Sequence, residues 1–259
     1  MLPPAAAFDA IAERFDARYG AWASVAAQRR PVRAALARAF PRGARVLEIG
    51  GGTGEDASWL IERGRDVLLT DPSPTMVRLA AAKLAPSGAA EPVVCAAESL
   101  DALAPYGPFD GAFSNFAGLN CVTDLRPVGA ALAQLVRPGG RVLLVIFGTA
   151  PIGEWVVQLV RRDVKAAVRR FSHGDVPARL GGQHFTVRYH RRADVVGAMA
   201  PWFTLVRRIG VGVFVPPSAA EPWITGHPKL LGALESLDRI VARPLAGLGD
   251  HVLYEFVRS

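Results

Sequence analysis

The sequence predicts an α/β fold: a doubly wound, mostly parallel seven-stranded sheet with an α/β insertion after the fifth strand. Three observations predict it. Arg45-Val-Leu-Glu-Ile49 runs into the glycine cluster Gly50-Gly-Gly-Thr-Gly54 and then into the helical pattern Asp56-Ala-Ser-Trp-Leu-Ile-Glu62, so a buried strand, a tight turn and a helix N-terminus follow one another. A second strand, Arg65–Asp71, ends on a carboxylate 17 positions beyond Gly54. Apolar runs and helical stretches then alternate as far as Arg141–Phe147, which is continuous and apolar as a buried parallel strand should be.

Taken in order, residues 5–40 read as two helices. Phe8, Ile11, Phe15 and Tyr19 recur at three and four residues as one apolar stripe, and Pro31 is placed to open a second helix through Val32, Leu36 and Phe40. After the first two strands, Pro72-Ser-Pro-Thr-Met76 opens a helix with Ser73 or Thr75 as its cap. Pro92–Cys95 is a short third strand and Phe109–Asn115 a fourth, and Arg137-Pro-Gly-Gly140 marks the turn into the fifth. Residues 153–171 read as one basic amphipathic helix, with Val156, Val160, Val164, Ala167 and Phe171 on one side and Arg161, Lys165 and Arg169 on another. Beyond it come Gly181-Gly182, a β-like run His184–His190, a helix around Arg192–Ala200, a partly alternating strand Phe203–Val215, a helix Pro228–Val241 and a closing strand His251–Val257. No repeat or composition break divides the chain. It reads as one domain with N-terminal helices at 1–40, a core at 41–150, a cap at 151–200 and completion of the sheet at 201–259.

The length of 259 residues suits one large α/β domain, and 51% apolar residues supply its core. No apolar run approaches the roughly 18 residues that span a bilayer, and the opening Met1-Leu-Pro-Pro-Ala-Ala-Ala lacks the basic region of a signal peptide, so a cytoplasmic protein is expected. Cys95 and Cys121 are far apart without a Cys/His partner; buried thiols, rather than a disulfide or a zinc site, are expected. The net charge of +7 is local: residues 1–150 carry 15 basic against 14 acidic side chains, residues 151–259 carry 15 against 9. Nine basic residues crowd into 161–192 against Asp163 and Asp175. Such a segment suits a solvated helix face, a phosphate or nucleic-acid partner, or peripheral contact with an anionic membrane.

Glycine tolerates positive φ and has no Cβ, so a ligand can approach the backbone at 50–54 within hydrogen-bonding distance. The dinucleotide pattern G-x-G-x-x-G would need its third glycine where Glu55 stands. The corner reads instead Glu48-x-Gly50-x-Gly52-x-Gly54, followed by Glu55 and Asp56. Carboxylates there repel a pyrophosphate and suit a ligand carrying an ammonium or a sulfonium. S-adenosylmethionine carries both. Asp71, at the end of the neighbouring strand, is placed to accept the two hydroxyls of its ribose.

The run Val46–Gly54 resembles the first motif of class I S-adenosylmethionine-dependent methyltransferases, close to the ubiquinone and menaquinone biosynthesis type. The resemblance implies a Rossmann-like sheet whose last strand pairs antiparallel, and S-adenosylmethionine as cofactor. It implies cofactor contacts from Glu48, Gly50, Gly51, Gly52 and Gly54 and, through an Asp-x-Ser-x-x-Met pattern, from Asp71, Pro72, Ser73 and Met76. Family members often carry an Asp where Ala96 stands, so Ala97 and Glu98 are the substitutes expected at the adenine. Asn115 lies at the end of the fourth strand, where ligands bind in open sheets. Tyr19 and Asn120 are the candidates for contact with the substrate, and the insertion after the fifth strand is where the family builds the substrate pocket.

Methyl transfer from a sulfonium needs orientation and a dry pocket more than a metal. A base helps when the acceptor is a hydroxyl or a carbon acid. Tyr19, His173, His184, Tyr189 and His190 are the candidates, and none is singled out. The reading is methyl transfer to a small, hydrophobic or anionic acceptor. Its rival is a nucleic-acid-binding protein or RNA methyltransferase using residues 161–192. Base-methylating enzymes commonly show Asn or Asp followed by Pro-Pro and an aromatic, whereas residues 115–120 hold no proline, which weakens that rival.

Overall fold

The computed structural model describes residues 2–116, 118–172 and 174–259. The sheet strands are β1 (Arg45–Ile49), β2 (Asp66–Asp71), β3 (Val93–Val94), β4 (Phe109–Ser114), β5 (Val136–Phe147), β8 (Phe203–Val211) and β9 (His251–Arg258). They lie in the order β3-β2-β1-β4-β5-β9-β8. All contacts from β3 to β5 are parallel, and β9 runs antiparallel to both of its neighbours. A separate hairpin, β6 (Asp175–Leu180) with β7 (Gln183–Arg188), turns at Gly181-Gly182. The strand order reverses between β1 and β4, and the C-terminal ends of those strands open on one crevice.

Both faces of the sheet are buried, which is why its central strands are apolar without interruption. Successive residues still part company. On β5, Val142, Leu144 and Ile146 join the core on one face while Leu143 and Val145 join the other. The first face is covered by α6 (Arg126–Leu135) and α9 (Arg192–Met199); the second by α3 (Ala23–Ala39), α4 (Glu55–Ile61) and α5 (Pro74–Leu84). Phe113, fully buried on β4, meets Phe40 at a centroid distance of 6.3 Å just after α3 ends.

Several elements depart from the sequence reading. The N-terminal region holds three helices, α1 (Pro4–Asp9), α2 (Ala12–Tyr19) and α3, and Pro31 stands inside α3 rather than at its start. The alanine-rich Ala23–Gln28 favours helix strongly enough to extend it by two turns ahead of the proline. Arg137–Gly140 forms an irregularity within β5, with the register slipping between Phe109 and Gly111 of its partner. The single helix expected over 153–171 is instead α7 (Ile152–Val160), α8 (Val164–Val168) and a short 3-10 turn, parted where Arg162 takes a φ of 58°. The remaining helix, α10 (Pro228–Val241), has the predicted bounds. No helix among the described residues is long and apolar enough to cross a membrane.

Candidate active site

The site begins where β1 ends. Gly50, Gly52 and Gly54 take φ values of 67°, 55° and 80°, which L side chains rarely adopt. At Gly51 the limit is space, because a Cβ would fall 2.6 Å from Leu69 and 2.9 Å from the Glu48 carboxyl carbon. One strand over, Asp71 is buried and already oriented. Its Oδ2 accepts from Gly52 N–H at 2.9 Å and its Oδ1 from Ser73 N–H at 2.9 Å. A carboxylate offers about four lone-pair sites, so each oxygen retains one acceptor position. Burial raises the Asp71 pKa and the two amide donors hold it back.

These groups face a cavity of about 590 Å³, within the range of roughly 300–1,000 Å³ common for small-molecule sites. Of the residues expected at a ligand, Glu48, Gly50, Gly51 and Gly52 line it from the corner, and Asp71, Pro72 and Met76 from the end of β2 and the start of α5. Ala97, Glu98 and Asn115 line it from the next two loops, and Tyr19 closes it from α2. Three expected residues stand elsewhere. Gly54 packs instead against α5, where its missing Cβ would sit 3.3 Å from that of Ala80. Ser73 caps α5, accepting from Met76 N–H at 3.1 Å, and donates its hydroxyl to Asp9 at 2.6 Å. Asn120 is wholly buried, donates to the Arg188 carbonyl at 2.6 Å and accepts from Phe147 N–H at 2.9 Å. Its amide ties β5 to β7, and Asn120 does not line the cavity.

The charges are also distributed differently from the sequence reading. Asp56 does not present a free carboxylate: Arg29 and Arg33, one helical turn apart on α3, pair with it at 3.0 and 2.8 Å, and Asn115 donates to it at 2.7 Å. Glu55 pairs with Arg33 at 2.9 Å. Glu48 alone at the corner is buried with a side-chain oxygen, Oε2, that has no hydrogen-bond partner. Burial first, and the neighbouring Asp56 carboxylate second, push its pKa well above the ordinary range, which Arg29 only partly offsets. Arg29, Arg30 and Arg33 also line the cavity. Sequence reasoning missed them because it began the helix at Pro31; the Arg29/Arg33 spacing is the signal that a correct helix start would have exposed.

The apolar lining comes from Phe8, Phe15 and Tyr19 on one side and Phe116, Leu119 and Val122 on the other. No described residue beyond Val122 contributes, so the segment expected to form the substrate pocket does not line this cavity. It supports the wall from behind. Phe116, a bulky residue held at a φ of 48°, lies in a region of strain typical of functional sites. The Arg29 guanidinium stands 4.9 Å from its ring centre, and His251 meets the ring edge-on at 5.4 Å. Behind His251, Asp250 accepts from Gln28 at 3.2 Å and from Arg170 at 2.6 Å.

Of the candidate bases among the described residues, only Tyr19 reaches the cavity, with its pKa raised by burial and Arg18 acting against the shift. His190 Nε2 lies 2.9 and 3.3 Å from the Val122 and Leu119 carbonyls, and burial lowers its pKa. Tyr189 is buried against Phe147, His184 is exposed on β7, and His173 lies outside the described residues. Cys95 is buried as expected, but Cys121 is half-buried and lines the cavity, its pKa pushed up to about 12 by burial and then by Asp71 and Glu98. It is therefore a thiol, and no nucleophile, at neutral pH. No cluster of three or more metal-ligating side chains occurs among the described residues.

The strand order and the glycine corner at the point of reversal define a Rossmann-like α/β nucleotide-binding fold. Residues 46–140 match the family model described as a methyltransferase domain. A ubiquinone/menaquinone biosynthesis C-methyltransferase (UbiE) of Bordetella parapertussis is 34% identical over 122 residues, covering 44% of this chain and 46% of that protein. The corresponding protein of Yersinia pestis is 33% identical over 110 residues, covering 41% and 43%. The chain thus spans just under half the length of these relatives. Among solved structures, a TehB-like S-adenosylmethionine-dependent methyltransferase from Corynebacterium glutamicum superposes with a TM-score of 0.56 at 17% identity, over 96% of this chain and 99% of that one. A geranyl diphosphate C-methyltransferase from Streptomyces coelicolor, solved with Mg2+, geranyl diphosphate and S-adenosyl-L-homocysteine, gives 0.55 at 15% identity, over 89% and 79%. Over residues 46–140 the chain is thus similar to a methyltransferase domain, and its overall fold is one that S-adenosylmethionine-dependent methyltransferases share.

Proposed function

We propose that this protein is a cytoplasmic enzyme that transfers the methyl group of S-adenosylmethionine to a small acceptor, hydrophobic or anionic in character. The observation that carries the reading is Asp71: a buried carboxylate, fixed by two backbone amides, with one acceptor position left on each oxygen beside the glycine corner. That is the demand of a ribose diol. The unpartnered Oε2 of Glu48 fits an ammonium group, and Arg29 on the cavity wall fits the carboxylate of the same amino-acid end. Pro72, Met76, Ala97 and Glu98 would hold the adenine. When bound, the cofactor supplies an activated methyl on a sulfonium, whose departure neutralises a charge.

The chain's own contribution is orientation and exclusion of water. Phe8, Phe15, Tyr19 and Phe116 form an apolar wall on which a flat or aliphatic acceptor can lie. Asp9, Glu13 and Asp16 bind the lid of α1 and α2 to α5 through Ser73, Arg78 and Lys83. The same lid brings Tyr19 to the cavity as the one candidate base in reach among the described residues. Residues 151–200 then act as a brace behind the pocket within a single domain over 1–259. The comparisons lend the nucleic-acid alternative no support.

Calorimetry with S-adenosylhomocysteine tests the reading. Two charge-assisted hydrogen bonds contribute about 1.5–3 kcal/mol each, so Asp71→Ala should weaken binding by about 100-fold or more. Wild-type affinity weaker than millimolar, or no loss in the variant, overturns it. Labelled cofactor incubated with fractionated cell extract would then identify the acceptor.

A further inference from the structure

The segment 152–171 is turned inside out relative to its own composition. Facing the protein are Glu154 and Arg170, both buried, with Gly153 and Ala167 packed beside them. Facing solvent are Val156, Leu159, Val164, Val168 and Phe171, and Val160 at 79% exposure. The reason lies in the interior. Arg170 donates to the Gly148 and Asp250 carbonyls at 3.1 and 2.7 Å and to the Asp250 carboxylate at 2.6 Å, and it pairs with Glu154. That ionic cluster holds the polar side of both short helices inward, so their aliphatic side has nowhere to go but out.

A ridge of exposed aliphatic side chains usually marks an interaction surface. Here Arg161, Arg162 and Lys165 are exposed among the same residues. The one acidic side chain in the break, Asp163, is committed to capping α8 through Ala166 N–H at 2.9 Å. Trp223, 57% exposed, follows the 218–220 turn, whose Ala219 carbonyl accepts from Arg161. We propose that the outer face of α7 and α8 is a docking surface for an anionic lipid bilayer, with the aliphatic side chains entering the interface and the basic ones meeting the headgroups. Aliphatic burial combined with cationic flanks is what such an interface rewards. A two-fold contact with a second copy would set Arg161, Arg162 and Lys165 against their own kind. A nucleic acid would use the cations but leave the aliphatic ridge without a partner.

The test is co-sedimentation of the full chain with vesicles of phosphatidylglycerol and phosphatidylcholine, against vesicles of phosphatidylcholine alone, at low and moderate salt. Binding should require the anionic lipid and fall with salt. Each basic residue near such a surface contributes roughly fivefold to partitioning, so the charge-reversed pair Arg162→Glu and Lys165→Glu should lose at least about tenfold. Val160→Asp should lose severalfold while leaving the circular dichroism spectrum unchanged. Equal partitioning onto both vesicle types, no partitioning, or partitioning unmoved by either variant overturns the proposal. So does sedimentation velocity that shows a dimer broken by Val160→Asp without vesicle binding, which would assign the face to a second copy. Affinity for S-adenosylhomocysteine should be the same in all these variants, which separates this test from that of the methyl-transfer reading.

Discussion

The glycine corner and the α7–α8 segment both bury charge, and they do so by opposite means. At the corner, Asp71 is held by backbone amides and Glu48 is left with an open acceptor, so the charges are positioned for something that is not protein. Around α7 and α8, the Arg170 guanidinium pairs with both Glu154 and Asp250, although Glu154 Oε2 and Arg170 Nε each lack a hydrogen bond. Burial of an acid partnered by amides or by nothing prepares a ligand site. Burial of an acid partnered by a guanidinium fixes the direction in which a helix faces.

The largest expected effect lies in the second region. Arg170→Ala leaves the buried Asp250 without its guanidinium and Glu154 with Arg169 alone, and should cost about 3–5 kcal/mol of stability, read as a fall in the denaturation midpoint. A loss below about 1 kcal/mol would break the contrast. Asp250 is the group to follow with pH. Burial alone would raise its pKa, but Arg170, then His251 and its hydrogen bonds, bring it below the ordinary value. Its contribution is therefore present above the unfolded carboxyl pKa and lost as pH falls through the lower folded one. The Arg170→Ala variant should show less of this acid sensitivity than the wild type.

Asn120 sharpens the boundary between the two regions. Because its amide joins Phe147 to Arg188 and does not line the cavity, Asn120→Ala should cost about 1–3 kcal/mol of stability with affinity for S-adenosylhomocysteine unchanged at equal folded fraction. A selective loss of affinity would return Asn120 to the site. The smallest effect belongs to Glu48, whose folded pKa is raised. Its contribution is full below the unfolded pKa and is lost as pH rises through the folded one. Glu48→Gln should therefore melt a few degrees higher than the wild type at neutral pH and above, with the gap closing in acid. A gap that widens in acid would reverse the assigned sign.

Much of the fold was legible because its signals are local. The run Arg45–Gly54, the carboxylate ending the second strand and the apolar Arg141–Phe147 each carry their own periodicity and turn chemistry, and β1, β2 and β5 stand where those signals put them. Pro31 misled because proline opens a helix well in isolation, whereas here the preceding alanines had already formed one. That error hid Arg29 and Arg33 from the site. The error over 153–171 has a different origin. Apolar residues at helical spacing reveal that a helix has two unlike faces but carry no label for which is inside, and the partner that decides it, Asp250, lies 80 residues from Arg170 in the chain.

The sequence by itself determined the order of the central strands from β1 to β5 and of the closing β9, the glycine corner with its two carboxylates, and the local excess of positive charge. Those depend on residues that are neighbours in the chain. Only the tertiary structure decided that Asp56 is neutralised from α3, that Asn120 is a tie and that α7 and α8 turn their aliphatic side outward. Each of those outcomes depends on a buried polar group finding its partner, and the low dielectric of the interior makes a missing partner costlier than an exposed valine.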